Sequence, residues 1–265
     1  MSNKPIGIFD SGIGCLTVAK AIAQLLPKEN LMYFGDTAHL PYGDKSKDSI
    51  KLYSKRISDF LIGKGCKAIV IACNTASAHA YKDVSQRHPG IPVLNVIDPT
   101  VDYCSKKFKE GKIGIIATKG TIKSRIYPRK IHKHRKELKV AQQATPLLAP
   151  MIEEGYFDNN ISRTIIGSYL AAKNFKGMDA LILACTHYPL IKPEVEEVLD
   201  GVEVIDSATV VASELEKLLR RKKLLKENGR STKRFFVSDY TRSFEETSKL
   251  FFGKEIQLKE DRIWD

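Results

Sequence analysis

Two cysteines end apolar stretches of the chain that share one pattern. Cys73 closes "AIVIAC" and Cys185 closes "ALILAC", and each is followed by two hydrogen-bonding residues. A single cysteine at a strand end is usually a small core residue, but a polar pair beside it would be costly in a core. Two facing thiols could remove a proton from one side of a carbon and deliver one to the other, inverting a stereocentre by acid–base catalysis. The polar neighbours are Asn74 and Thr75 after the first cysteine, and Thr186 and His187 after the second.

Both cysteines stand where a predicted strand passes into a helix or loop. The N–H groups of a helix N-terminus stabilise a thiolate, so we expect them to lower the thiol pKa. An unperturbed cysteine has a pKa of about 8.5, so a modest shift gives one thiolate beside one thiol near neutral pH.

Further polar residues follow two other apolar runs. Asp10 and Ser11 come after "IGIF"; both are favoured helix N-caps, and Asp10 beside a thiol would also act as a proton relay or bind an ammonium group. Asp36, Tyr42 and Gly43 lie in "GDTAHLPYG", whose proline and glycines predict a loop.

Cofactor and metal motifs are weak. "GIFDSGIGCLT" has Thr17 where a dinucleotide loop needs a third glycine or alanine, and "ATKGTIKS" lacks the Walker spacing. Cys73, Cys185 and His187 could converge on zinc, but no zinc-site spacing supports this. We therefore expect neither a cofactor nor a metal.

Short apolar runs alternate along the chain with amphipathic segments. Continuous apolar runs predict strands buried on both faces, as in a parallel sheet, and the alternation predicts a doubly wound α/β fold. The predicted strands are 6–10, 31–36, 68–73, 93–98, 113–118, 139–144, 180–185, 202–206 and 234–239, and the predicted helices are 16–26, 47–65, 166–175 and 208–225.

The two halves of the chain resemble one another, which predicts two pseudo-symmetric α/β domains with mainly parallel sheets. Residues 1–98 plus 208–265 would form the first domain, with Cys73, and residues 99–207 the second, with Cys185. Ligands of such folds bind at the carboxyl ends of strands, so we expect the site in the cleft between the domains.

The bulk properties restrict the class of protein. The 265 residues contain neither an apolar run of about 18 residues nor an apolar leader, so we expect no membrane span and no secretory signal. The five cysteines are an odd number, which favours free thiols in a reducing cytoplasm over a disulfide framework. Cys15, Cys66 and Cys104 lack polar neighbours of the kind described above and are predicted to be structural.

The net charge of +12 suggests anionic partners, although it also serves solubility. The basic residues concentrate in 119–139 and 220–234, which lack the interleaved aromatics of a nucleic-acid platform. We interpret each stretch as a solvated helix face or loop, with His132 and His134 facing solvent. Nucleic-acid binding remains an alternative that rests on charge alone.

Four blocks resemble the signature of glutamate racemases, in order along nearly the whole chain: "GIFDSGIGCLTV", "YFGDTAHLPYGDKS", "VIACNTASA" and "ILACTHYPLI". The resemblance implies cofactor-independent conversion of L- to D-glutamate for bacterial peptidoglycan, and a homodimer is expected. Aspartate racemases, the alternative enzyme, usually carry Gly-Cys-Thr-Glu in the second cysteine block, so "ACTHYP" favours glutamate. Family members usually have glycine in place of Cys15. From another class, a two-domain amino-acid-binding protein would have no use for two thiols.

The resemblance also implies roles for individual residues. Cys73 and Cys185 would be the acid–base pair, each serving one enantiomer. Asp10 would assist the first thiol, and His187 with Glu153 the second. The residues implied to bind the substrate are Asp10, Ser11, Tyr42, Gly43, Asn74, Thr75, Thr118, Thr186 and His187.

Overall fold

The computed structural model describes residues 2–253 and 256–265, which contain two sheets whose strand pairs are all parallel. The prediction of an α/β protein with parallel strands in two sheets is confirmed. The strands are β1 (Ile6–Asp10), β2 (Leu31–Gly35), β3 (Ala68–Ile71), β4 (Val93–Asn95), β5 (Gly111–Ala117), β6 (Leu138–Ala144), β7 (Ala180–Ala184), β8 (Glu203–Asp206), β9 (Lys233–Val237) and β10 (Leu258–Glu260). The six-stranded sheet has the order β10-β9-β2-β1-β3-β4, and the four-stranded sheet has the order β6-β5-β7-β8.

Helices connect the strands and cover the sheets. They are α1 (Leu16–Leu25), α2 (Lys47–Gly63), α3 (Asn74–Arg87), α4 (Ile97–Lys107), α5 (Lys119–Ser124), α6 (Ile126–His134), α7 (Leu148–Glu153), α8 (Asn160–Leu170), α9 (Lys192–Val198), α10 (Ser207–Arg221) and α11 (Arg242–Phe251). Short 3-10 helices lie at Thr37–His39, Tyr42–Asp44, Lys173–Phe175 and Tyr188–Ile191. In the described part of the chain, none of these helices has the length and apolar character to cross a membrane.

The central strands β1, β3, β5 and β7 have apolar residues on both faces because helices cover both sides of each sheet. In the first sheet Phe9 pairs with Ile71, so the residues after β1 and β3 emerge at one edge. In the second sheet Ala117 pairs with Ala184, so Thr118 and Cys185 follow their strands side by side. Each sheet therefore presents polar residues at the carboxyl ends of its strands.

Several details differ from the sequence predictions. The strand predicted at 93–98 ends at Asn95, because the Asn95 Oδ1 accepts hydrogen bonds from the backbone N–H groups of Ile97 and Asp98, both at 2.9 Å, and α4 begins. The helix predicted at 166–175 is α8, which begins at 160 behind an Asn159 capping box and ends at 170. Strand β10 was not predicted. The domain boundaries at 98/99 and 207/208 stay a prediction.

The first basic stretch, 119–139, forms α5 and α6, and most of its Lys and Arg side chains are exposed, as are His132 and His134. Its Tyr127 is buried. The second basic stretch is also mostly exposed, but Lys226 is buried and its Nζ donates to Asn30 Oδ1 at 3.1 Å and Arg230 O at 2.7 Å. The basic stretches of the sequence therefore mark exposed surface in general, although Lys226 is an exception.

Candidate active site

A cavity of about 260 Å³ lies where residues from the carboxyl ends of both sheets meet. Ser11 and Cys73 follow strands of the six-stranded sheet, and Thr118 and Cys185 follow strands of the four-stranded sheet. The sequence-predicted residues that line the cavity are Ser11, Tyr42, Gly43, Cys73, Asn74, Thr75, Thr118, Glu153, Cys185, Thr186 and His187.

Two predicted or discussed carboxylates lie outside this lining. Asp10 is almost completely buried and lies behind Ser11, whose Oγ donates to Asp10 Oδ1 at 3.2 Å. Asp36 is fully buried and accepts hydrogen bonds from Tyr42 Oη at 2.7 Å and Trp264 Nε1 at 3.0 Å. Both carboxylates therefore act on the cavity through another side chain.

The Cys73 side chain caps the N-terminus of α3. Its Sγ accepts a hydrogen bond from the Ala76 N–H at 3.4 Å. Burial and the charge of Asp10 nevertheless raise the pKa of the thiol to about 12, against the lowering effect of the Ala76 N–H and of Ser11. The prediction that helix amides lower this pKa was wrong in its net direction, because desolvation of the thiolate outweighs them. The Cys73 thiol therefore holds its proton more strongly than an ordinary cysteine does.

Cys73 is connected to Asp10 through Ser11. The thiol lies 3.6 Å from Ser11 Oγ, which in turn donates to Asp10 Oδ1. The other carboxylate oxygen, Oδ2, accepts the Cys15 N–H at 2.8 Å. Cys15 has an ordinary backbone conformation, with φ of −72°, and its side chain is buried outside the cavity. The cysteine at this position is therefore accommodated without disturbing the turn.

The second thiol has a matching chain. Cys185 Sγ lies 3.6 Å from His187 Nδ1, and His187 Nε2 lies 2.7 Å from Glu153 Oε1. Burial alone would lower the pKa of His187, but its hydrogen bonds to Cys185 and Glu153 outweigh burial and raise this pKa well above its ordinary value. A protonated His187 donates from both ring nitrogens, which matches its two partners.

Polar groups that follow strands of both sheets also meet beside the cavity. Thr75 Oγ1, at the start of α3, lies 3.0 Å from Thr118 Oγ1 and 3.2 Å from Thr121 Oγ1. Asn74 Oδ1 accepts a hydrogen bond from Tyr127 Oη at 2.7 Å, whereas its buried Nδ2 has no partner in the described chain. The cavity thus contains neutral donors suited to a carboxylate.

Sequence reasoning missed several residues that support the site. Tyr127 could have been noticed as the single aromatic residue in the basic stretch 119–139, but its target lies 53 positions away. Trp264 contacts Asp36 across 228 positions, and no local pattern indicates that. Residues 2–253 and 256–265 contain no group of three or more His, Cys, Asp or Glu side chains placed to hold a metal ion.

Comparisons with known proteins agree with one another. The Asp/Glu/hydantoin racemase family matches residues 15–215. The chain is 42% identical to the glutamate racemase of Neisseria gonorrhoeae over 96% of this chain and 94% of that protein, and 42% identical to that of Aquifex aeolicus over 96% of both.

Structural similarity extends further still. The glutamate racemase of Francisella tularensis, solved in complex with D-glutamate, superposes with a TM-score of 0.94 at 38% identity, covering 100% of this chain and 99% of that chain. On these grounds the protein belongs to the Asp/Glu/hydantoin racemase family, and the relatives named above are glutamate racemases.

Proposed function

We propose that this protein interconverts L- and D-glutamate, without a cofactor, by two-thiol acid–base catalysis in the cavity described above. The observation that carries the proposal is the pair of chains Cys73–Ser11–Asp10 and Cys185–His187–Glu153, whose sulfur ends open on one cavity. The substrate is inferred from relatives named glutamate racemase and from the bound D-glutamate of the Francisella tularensis enzyme.

The reaction needs one proton removed and one delivered. One sulfur, as thiolate, takes the α-proton, so that a Cα–H bond breaks and an S–H bond forms. The other sulfur, as thiol, then gives its proton to the opposite face of the carbanion. The product leaves the two cysteines with exchanged protonation states, and the chains to Asp10 and Glu153 provide routes for protons to restore them.

The chemical difficulty is the weak acidity of the α-proton. Negative charge that develops on the substrate carboxylate must be stabilised by fixed donors in a site from which water is excluded. We assign this work to neutral groups of the cavity, because they add no competing charge. The assigned residues are Ser11, Tyr42, Gly43, Asn74, Thr75, Thr118 and Thr186, with Asp10 and His187 completing the predicted binding set.

Incubation with L-glutamate in D2O tests the proposal. The reduced protein should exchange the Cα proton, seen by NMR, while the optical rotation decays to zero, and D-glutamate should behave in the same way. No exchange and no optical change would refute glutamate racemisation. Faster turnover of aspartate would indicate an aspartate racemase, and saturable glutamate binding without exchange would indicate a binding protein.

We further infer a cytoplasmic homodimer that supplies D-glutamate for peptidoglycan. The five cysteines are all free and buried, which suits a reducing compartment. Complementation of a bacterial strain that requires D-glutamate tests the role, and sedimentation equilibrium tests the dimer. A strictly monomeric protein with full activity would refute the dimer but not the racemase activity.

A further inference from the structure

Tyr127 is a buried residue in a stretch whose Lys and Arg side chains are mostly exposed. It lies on α6, which follows β5 of the four-stranded sheet, and only 1% of its surface is exposed. Its hydroxyl donates at 2.7 Å to Oδ1 of Asn74, the first residue of α3 after β3 of the six-stranded sheet. This hydrogen bond therefore connects helices that belong to different sheets.

The bond determines which way the Asn74 amide points. An amide oxygen can only accept and an amide nitrogen can only donate. Burial raises the pKa of Tyr127 above its ordinary value, so the phenol keeps the proton that it donates to Asn74 Oδ1 in this structure. Because Tyr127 donates to Oδ1, the Nδ2 group must face away from it.

The nitrogen left over has no partner in the described chain, although Asn74 is 97% buried and lines the cavity. Buried donors are rarely left unpaired, so this Nδ2 group needs an acceptor from outside the described chain, and a ligand bound in the cavity would supply one. An amide turned the other way would present Oδ1 to an anionic ligand and would repel it.

We propose that Tyr127 is a positioning residue: its hydroxyl fixes the Asn74 amide so that Nδ2 presents its N–H groups to a carboxylate oxygen of the substrate. This inference rests on the proposed function, since a glutamate carboxylate is the acceptor. Tyr127 does not line the cavity and acts only through Asn74.

A double-mutant cycle tests the proposal. Tyr127→Phe should raise the KM for both enantiomers by about three- to tenfold, the size expected for one hydrogen bond, with a smaller change in kcat. In an Asn74→Ala background the same substitution should have no further effect, because the group that it orients is gone. Equal KM values for folded Y127F and wild type, or effects that multiply in the double variant, would overturn the proposal.

A second variant tests the orientation without altering Tyr127. Asn74→Asp puts an oxygen where Nδ2 stands, so it should raise KM more than Asn74→Ala does. If Asp were tolerated better than Ala, the oxygen would already face the cavity and the proposal would be wrong. This test remains decisive should Y127F fail to fold.

Thr100→Val provides a control for the loss of a buried hydroxyl. Thr100 is fully buried on α4, and its Oγ1 donates to Val96 O at 2.7 Å, away from the cavity lining. Thr100→Val should change thermal stability but not KM.

Absence of α-proton exchange in the wild type would refute the proposed function itself. Calorimetric titration of wild type and Y127F with glutamate would then decide the role of Tyr127. Equal affinities of the two proteins, or no binding by either, would refute that role.

Discussion

The imidazole ring of His187 lies directly against the backbone of Gly14. A Cβ atom on Gly14 would lie 2.3 Å from His187 Cε1 and 2.4 Å from Nδ1, well inside van der Waals contact. Gly14 follows β1 of the six-stranded sheet, whereas His187 follows β7 of the four-stranded sheet. The absence of a side chain at position 14 thus allows the imidazole to reach both Cys185 and Glu153.

Gly14→Ala should reduce racemisation by about 100-fold or more, because it must displace the imidazole, and a shift of about 1 Å costs that much. Rates with each enantiomer and the melting temperature provide the measurement. Gly167→Ala is the matched control, since a Cβ there meets no atom within 4 Å. It lies inside α8 and should keep full activity while gaining about 0.5–1 kcal/mol of stability. Full activity in G14A would show that the position of His187 is unimportant.

Glu153→Gln should move the alkaline limb of the pH–rate profile to lower pH. The wild-type pKa of His187 is lowered by burial but raised more strongly by hydrogen bonds to Cys185 and Glu153. Removing the Glu153 charge lowers this pKa, so His187 loses its proton, and its ability to return one to Cys185, at a lower pH. The measurement is kcat/KM against pH for both enantiomers.

The effect of Glu153→Gln on the free energy of unfolding should depend on pH. Because the folded pKa of His187 is raised, its stabilising contribution is complete below the unfolded pKa of about 6.5 and is lost as pH rises through the folded pKa. E153Q should therefore cost more stability at about pH 6 than at a pH above the folded pKa of His187. Asp59→Asn removes a carboxylate 3.2 Å from His88, outside the cavity lining, and should leave the pH–rate profile unchanged. An identical profile in E153Q and wild type would contradict the relay.

Cys73→Ser and Cys185→Ser should each reduce racemisation by about 1000-fold or more, because a hydroxyl is a far weaker acid than a thiol and acid–base groups contribute about 10²–10⁴. Exchange in D2O should persist only for the enantiomer whose α-proton faces the remaining thiol. Cys104→Ala is the control, since Cys104 is buried outside the cavity. Unchanged racemisation in either serine variant would eliminate the two-thiol mechanism.

Stability should fall as pH rises above about 9 under reducing conditions. Burial raises the pKa of Cys66, Cys73 and Cys104 to about 12, whereas the unfolded chain releases these protons near 9.0. The unfolded state then binds fewer protons, so the free energy of unfolding decreases with pH. Cys66→Ala should reduce this slope by about 1.4 kcal/mol per pH unit, measured by urea unfolding. Equal slopes would show that Cys66 ionises in the folded state.

Trp264→Phe should raise the KM for glutamate about threefold and cost about 1.5–3 kcal/mol of stability, the range for one hydrogen bond to a charged group. It removes a donor to Asp36, which holds the cavity residue Tyr42. Tyr53→Phe is the control, because it keeps the ring that packs on Trp264 at 5.3 Å between centroids. An effect of Y53F as large as that of W264F would show that the loss is not specific to the hydrogen bond between Trp264 and Asp36.

Sequence reasoning located the central strands accurately, because strands covered on both faces leave continuous apolar runs. It missed β10, which has only three residues, two of them charged and exposed. It left open whether α6 was a helix or a loop, because basic residues obscure a narrow apolar face formed by Tyr127, Pro128 and Ile131. These failures share a cause, since short or mostly polar elements leave little hydrophobic periodicity.

The sequence by itself determined which side chains stand at the carboxyl ends of the strands, because a strand and the polar residues that follow it are local features. Only the tertiary structure decided the protonation and the orientation of those side chains. Burial, a property of the whole fold, keeps Cys73 protonated despite its helix cap. Contacts between residues distant in the sequence pack His187 against Gly14 and connect Asn74 to Tyr127 by a hydrogen bond. Such contacts leave no local signature, because they depend on how two sheets meet.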